Sequence, residues 1–111
     1  MIEREHILTL YEIYNKLLNE REKNYFEYYY FEDYSMQEIA DLYEVSKAYA
    51  SKYLNQIVNK LKKYESLLLL NEKNNKIKDI IKDLPADAKN KIEELLWKEK
   101  YYIIKRVNKY E

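Results

Sequence analysis

The chain contains no glycine and a single proline among its 111 residues. Tight hairpin turns draw on glycine, or on Asn-Gly and Asp-Gly pairs, to reach positive φ cheaply, so a sheet built from short hairpins is disfavoured. Helices joined by short polar connectors need none of this. With 47% hydrophobic and 36% charged residues, a chain of this length can bury a core as one domain and keep a solvated surface. The expected fold class is therefore all-α.

Several functional classes drop out on residue type. No cysteine is present, so there is no disulfide framework and no thiolate chemistry. The one histidine, His6, leaves little from which to build a metal site or a His-based catalytic unit. No cofactor is expected. The longest apolar run, Leu67 to Leu70, is far short of the roughly 20 residues a membrane span requires. The N-terminus lacks a signal-peptide pattern, and the chain reads as cytoplasmic.

Apolar spacing divides the chain into helices. Ile7, Leu10, Tyr11, Tyr14, Leu17 and Leu18 mark one face of a first helix. Asn19 and Glu22 read as a capping box opening a second helix, which carries Tyr25, Phe26, Tyr29 and Tyr30. Ser35 and Glu38 repeat that signal ahead of a two-turn helix with Ile39, Ala40 and Leu42 or Tyr43 facing inward. Ser46 then caps a long fourth helix. Along it, Ala50, Leu54, Ile57, Leu61, Tyr64 and Leu68 recur at steps of four and three, as a packing seam requires. The polar run Asn71 to Asn75 is the expected break. Ile77, Ile80, Ile81 and Leu84 follow in a fifth helix, and Pro85 suits the first turn of a sixth, anchored in the core by Trp97.

A short helix, a three-residue turn and a longer helix form the outline of a helix-turn-helix. Residues 35–54, "SMQEIADLYEVSKAYASKYL", fill its slots: Ile39 and Leu42 pack inward, Ala40 permits a close helix crossing, and Val45 plugs the turn. Where such turns commonly carry glycine this chain has Glu44, which is expected to adopt a left-handed conformation. The alternative is a bare helical hairpin with no nucleic-acid role.

"YYYFEDYSMQEIADLYEVS" followed by "LNQIVNKLKKYE" resembles the YlxM family of small bacterial proteins. The family is related in fold to the promoter-reading region 4 of sigma factors. The resemblance runs from about Leu8 to Leu70. It implies a helix-turn-helix domain over residues 1–70, and a role in the signal recognition particle pathway of protein targeting. Residues 71–111 would form a helical extension, packed on that domain or on a second subunit. One departure stands out: family members usually follow "VS" with Arg-Gln-Ala-Val, whereas this chain has Lys47-Ala48-Tyr49-Ala50. The Arg and Gln able to read base edges are replaced, which points away from sequence-specific readout.

Charge is distributed unevenly although it sums to zero. Residues 1–45 hold eleven acids and four bases, and residues 46–111 hold nine acids and sixteen bases. From Ser46 to Tyr64 there are five lysines and no acid. Opposite the apolar stripe lie Ala48, Ser51, Lys52, Asn55, Asn59, Lys62 and Lys63, with Lys47 and Lys60 at the margins. Such a face suits phosphates, with Ser46 at the helix start adding backbone donors. A solvated face is the plainer alternative.

The aromatic block of residues 25–34 could stack on bases, but it lies in the acidic half at helical spacing, which favours core packing. Glu32 and Asp33 read as an exposed loop, and Ser35 and Ser46 as caps without a base to activate them. No catalytic constellation is present, and an enzyme is not expected. Two functions remain open. One is a nucleic-acid-binding regulator acting on DNA or on the signal recognition particle RNA. The other is an interaction module whose seam (Leu54, Ile57, Leu61, Tyr64, Leu67, Leu68) binds the targeting GTPase or a second copy in a homodimer.

Overall fold

The computed structural model describes residues 2–110, with side chains from residue 3 to residue 109. Among the described residues there are helices and turns and no strand: α1 (Ile2–Tyr14), a 3-10 turn (Asn15–Leu17), α2 (Glu20–Tyr30), α3 (Met36–Tyr43), α4 (Lys47–Leu68), α5 (Leu70–Ile81) and α6 (Ala86–Tyr110). The fold is all-α, as expected.

Each junction in the N-terminal half has a local cause. Asn19 and Glu22 form a full capping box, with the Glu22 N–H donating to Asn19 Oδ1 at 2.8 Å and the Asn19 N–H donating to Glu22 Oε1 at 2.9 Å. Ser35 and Glu38 form a second one. Ser46 caps α4 by accepting from the Tyr49 N–H at 3.0 Å. Each such cap is worth about 1 kcal/mol relative to alanine.

The core gathers Leu10, Tyr14, Tyr25, Phe26, Ile39, Ala50, Ile57 and Leu61, all almost fully buried. The aromatic block is scaffold. Phe26 stacks on Tyr11 at 4.0 Å between centroids, Tyr25 stacks on Tyr43 at 4.4 Å, and Tyr28 meets Tyr34 at 4.8 Å. Phe31 is the exception, turned largely to solvent.

The C-terminal half departs from expectation in three ways. The break after α4 falls at Leu69, which takes a left-handed conformation (φ 53°), and Asn71 to Asn75 lie inside α5. The amides of α5's first turn find an acceptor in Glu65, six and seven residues earlier on α4, so no polar linker is needed. Trp97 is not a core anchor; it is 55% exposed, and Ile104 is the buried residue of α6. Pro85 precedes the first turn of α6, its carbonyl accepting from the Lys89 N–H at 3.0 Å.

The seam of α4 is also occupied. Leu54, Ile57, Leu61 and Tyr64 are buried within the single chain, where α4 packs against α1, α2 and α3. Leu68 is half-buried, and of the six seam residues Leu67 alone is turned outward, 69% exposed. The apolar stripe that would have formed an intermolecular seam is therefore filled by α1 together with α2 and α3. The helices of residues 70–110 pack on α1, on the 3-10 turn and on each other.

Candidate nucleic-acid interface

The helix-turn-helix closes through its turn. Glu44 has φ 56° and ψ 46°, the left-handed geometry usually given to glycine. The Val45 N–H donates to the Ala40 carbonyl at 2.9 Å and the Glu44 N–H to the Asp41 carbonyl at 3.3 Å, a Schellman pair that satisfies the last carbonyls of α3. Ile39 and Ala40 are buried against α4. Leu42 points to solvent, and Tyr43 takes the inward place by stacking on Tyr25. With the turn locked, the N-terminal half of α4 projects at a fixed angle from α3.

The outer face of α4 carries the expected polar set. Ser46, Lys47, Ala48, Lys52, Asn55, Asn59, Lys62 and Lys63 are exposed, and Ser51 is half-buried at the margin. The lysines are not equivalent. Lys62 Nζ lies 2.5 Å from Glu3 Oε1 on α1, and Lys60 Nζ lies 3.3 Å from Glu22 Oε1 on α2. The hydrogen bond from Lys62, followed by its charge, holds the Glu3 carboxyl below the usual carboxylate range. Lys47, Lys52 and Lys63 make no ion pair among the described residues. The acidic N-terminal half thus neutralises two of the five lysines and leaves three facing outward.

A second set of side chains borders this face. Tyr49, Tyr53, Gln56 and Lys60 recur at steps of four, three and four, forming a stripe along the α4 flank nearest α2. The Arg21 guanidinium, in the first turn of α2, lies 5.4 Å from the Tyr43 ring centroid, 5.6 Å from Tyr53 and 5.8 Å from Tyr25. Tyr49 stacks nearly parallel to Tyr53 at 6.1 Å and is 46% exposed. Burial raises the Tyr43 and Tyr53 phenols above their ordinary pKa. Neither Arg21 nor the two α4 tyrosines stood out in the sequence. The tyrosine spacing was visible there, but the link to Arg21 is tertiary.

Elsewhere chemistry is sparse. Glu32 and Asp33 are exposed in the α2–α3 connector, and His6 is exposed on α1. No cluster of three or more metal-ligating side chains occurs among the described residues. No helix of the described residues is long and apolar enough to cross a membrane.

A helix-turn-helix with this turn is matched by one family model over residues 1–100, described as "Putative helix-turn-helix protein, YlxM / p13 like". The chain belongs to this YlxM / p13-like family. Its relatives include a UPF0122 protein of Ureaplasma urealyticum serovar 10, 46% identical over 77 residues, which span 69% of this chain and 78% of the relative. A UPF0122 protein of Ureaplasma parvum serovar 3 is 44% identical over the same shares. One from Bacillus pumilus is 37% identical over 82 residues, 71% of this chain and 74% of its own. No solved structure matches the chain. The YlxM / p13-like family is described by its helix-turn-helix and not by an enzymatic activity.

Proposed function

We propose that this chain is a non-catalytic, cytoplasmic regulator that binds nucleic acid through the outer face of α4, chiefly by its phosphates. The observation that carries this reading is the trio Lys47, Lys52 and Lys63, which make no ion pair among the described residues. Lys52 and Lys63 lie on the face opposite the core and Lys47 at its margin, with Ser51, Asn55 and Asn59 beside them. Lysine is a flexible point charge and carries little base information, so affinity rather than sequence preference is its contribution. Resemblance to the YlxM family supports a place in the signal recognition particle pathway, with the particle's RNA as the first target to test and duplex DNA as the second. Titration of both at two salt concentrations tests the reading. Binding that weakens steeply with salt supports it, and absence of binding to either at low salt overturns it.

A second reading has one observation in its favour. Along α6, Leu95 and Tyr102 on one flank and Trp97 and Tyr101 on the next are exposed, an apolar surface suited to a protein partner such as the targeting GTPase or a second copy. Co-purification of the wild-type chain with the GTPase, lost on Trp97→Ala and retained on Lys52→Glu, would favour it. A strict monomer in light scattering would remove the homodimer form.

A further inference from the structure

We propose that Arg21, with Tyr49 and Tyr53, forms a phosphodiester clamp beside α4, which grips one backbone phosphate of the bound nucleic acid. This rests on the nucleic-acid reading above and adds to it residues outside the lysine face.

The charge of Arg21 is uncommitted. It pairs with no carboxylate among the described residues, because its acidic neighbours are engaged elsewhere. Glu20 holds Lys23 at 3.4 Å, and Glu22 holds Lys60 as well as the Asn19 N–H. What surrounds Arg21 instead is three rings from three helices: Tyr25 of α2, Tyr43 of α3 and Tyr53 of α4. Ring faces attract a guanidinium without using its in-plane N–H donors. A side-chain hydrogen bond to Tyr25, the largest cause raising the Arg21 pKa, draws on one of the guanidinium's five N–H donors. The group is thus fixed in position with donor edges left over, the arrangement that bidentate phosphate recognition requires.

The tyrosines add hydroxyl donors. Neither the Tyr49 nor the Tyr53 hydroxyl has a hydrogen-bond partner among the described residues, and burial keeps Tyr53 protonated well above neutral pH. Tyr53 adjoins Lys52 in sequence, and Tyr49 lies one turn earlier. A strand laid along the Lys47–Lys52–Lys63 face therefore passes the clamp at the α2 margin. In helix-turn-helix complexes the elements beside the recognition helix commonly hold the backbone. Three helices converge on Arg21, so the clamp reports whether α2, α3 and α4 are correctly assembled.

The test is anisotropy titration of the full chain against a labelled duplex DNA and a labelled RNA hairpin across a salt series. Arg21→Gln is expected to weaken binding about 5- to 20-fold at low salt and to reduce the slope of log affinity on log salt by about one. Tyr49→Phe with Tyr53→Phe should weaken binding a few-fold and leave the slope unchanged, since no charge is removed. Arg21→Lys keeps the charge and the ring contact but not the bidentate edge, and should bind about 3-fold or more weaker at an unchanged slope. This last variant also covers the case in which Arg21→Gln fails to fold, as read by circular dichroism. Loss on both probes supports a clamp for the shared backbone, and loss on one alone supports it for that nucleic acid. Wild-type binding with unchanged affinity and slope in folded Arg21→Gln, or unchanged affinity in Arg21→Lys, overturns the clamp and leaves the function standing. No wild-type binding at all overturns both.

Discussion

Tyr14 donates its hydroxyl hydrogen to Glu65 Oε1 at 2.6 Å and accepts from the Leu70 N–H at 3.2 Å, so one phenol ties α1 to both sides of the α4–α5 elbow. Glu65 completes the knot. Its carboxylate accepts from the Asn71 and Glu72 N–H groups, each at 3.1 Å, doing for α5 what Leu69 at the cap position cannot. Tyr14→Phe removes the acceptor of a buried N–H and should cost about 1–3 kcal/mol. Glu65→Ala should cost about 2 kcal/mol, since a cap and a charged hydrogen bond are lost together. Urea titration followed by circular dichroism measures both. Tyr14→Phe at wild-type stability would show that the elbow does not depend on this bond.

Glu44 and Leu69 both occupy left-handed backbone without being glycine, at φ 56° and φ 53°. For an L-residue with a β-carbon that conformation costs roughly 1–2 kcal/mol, partly offset by the larger entropy glycine loses on folding. Glu44→Gly should therefore raise stability by about 0.5–1 kcal/mol and leave nucleic-acid affinity unchanged. A lower denaturation midpoint for Glu44→Gly would contradict the assigned backbone geometry.

Five tyrosines, Tyr11, Tyr14, Tyr30, Tyr43 and Tyr53, have their phenol pKa raised in the fold, burial being the largest cause for each. For Tyr11 the acceptor Glu27 adds to it, and for Tyr14 the acceptor Glu65 does. A folded pKa above the unfolded value, about 10, means that the folded state retains protons the unfolded state releases. The stability this contributes is complete below about pH 10 and falls as pH rises beyond it. Alkaline titration should show two phases of tyrosinate absorbance, the exposed tyrosines first and the buried ones at higher pH together with helix loss. Ionisation of all 14 tyrosines in a fully helical protein would contradict it.

The two classes of lysine on α4 should respond differently. Lys52→Ala and Lys63→Ala remove cations whose counterions are dissolved salt, so each should reduce the salt slope of binding by about one. Lys62 already has a tethered counterion in Glu3, so Lys62→Ala should change the slope less. Glu3→Gln frees Lys62 and should tighten binding a few-fold at low salt. Equal slopes for all three lysine variants would show that the pair opens without cost.

What could be read in the sequence is local. The capping boxes at Asn19 and Ser35, the cap at Ser46, the left-handed Glu44 and the inward Ile39 and Ala40 each depend on residues within one turn of each other, and the structure reproduces them. Of the helix-turn-helix slots Leu42 is the one that fails, its inward place going to Tyr43. What could not be read is tertiary. The break at Leu69 depends on Glu65 being free to cap α5, and on Tyr14, which lies 51 residues before Glu65. The α4 stripe from Leu54 to Tyr64 looked available to another molecule because spacing alone does not say that α1 covers it. Trp97 looked like an anchor because a large ring usually is one, yet the position facing the core on α6 is Ile104. The same limit hid Arg21, whose meaning comes from rings on three helices.

The packing of α1 bears on how the chain is made. Helix α1 packs against both α4 and α5. Among the described residues the Tyr14 hydroxyl finds its partners at Glu65 and Leu70. During synthesis α1 leaves the ribosome before any of these residues exists. A two- to four-turn helix is marginal alone in water, so α1 must wait, unfolded or loosely held, until the far side of the Leu69 elbow emerges. The acidic segment of α1 is then translated well before the residues that secure it. A chain truncated before Leu70 would present the α4 lysines while α1, and Glu3 with it, lacks its hold on the elbow.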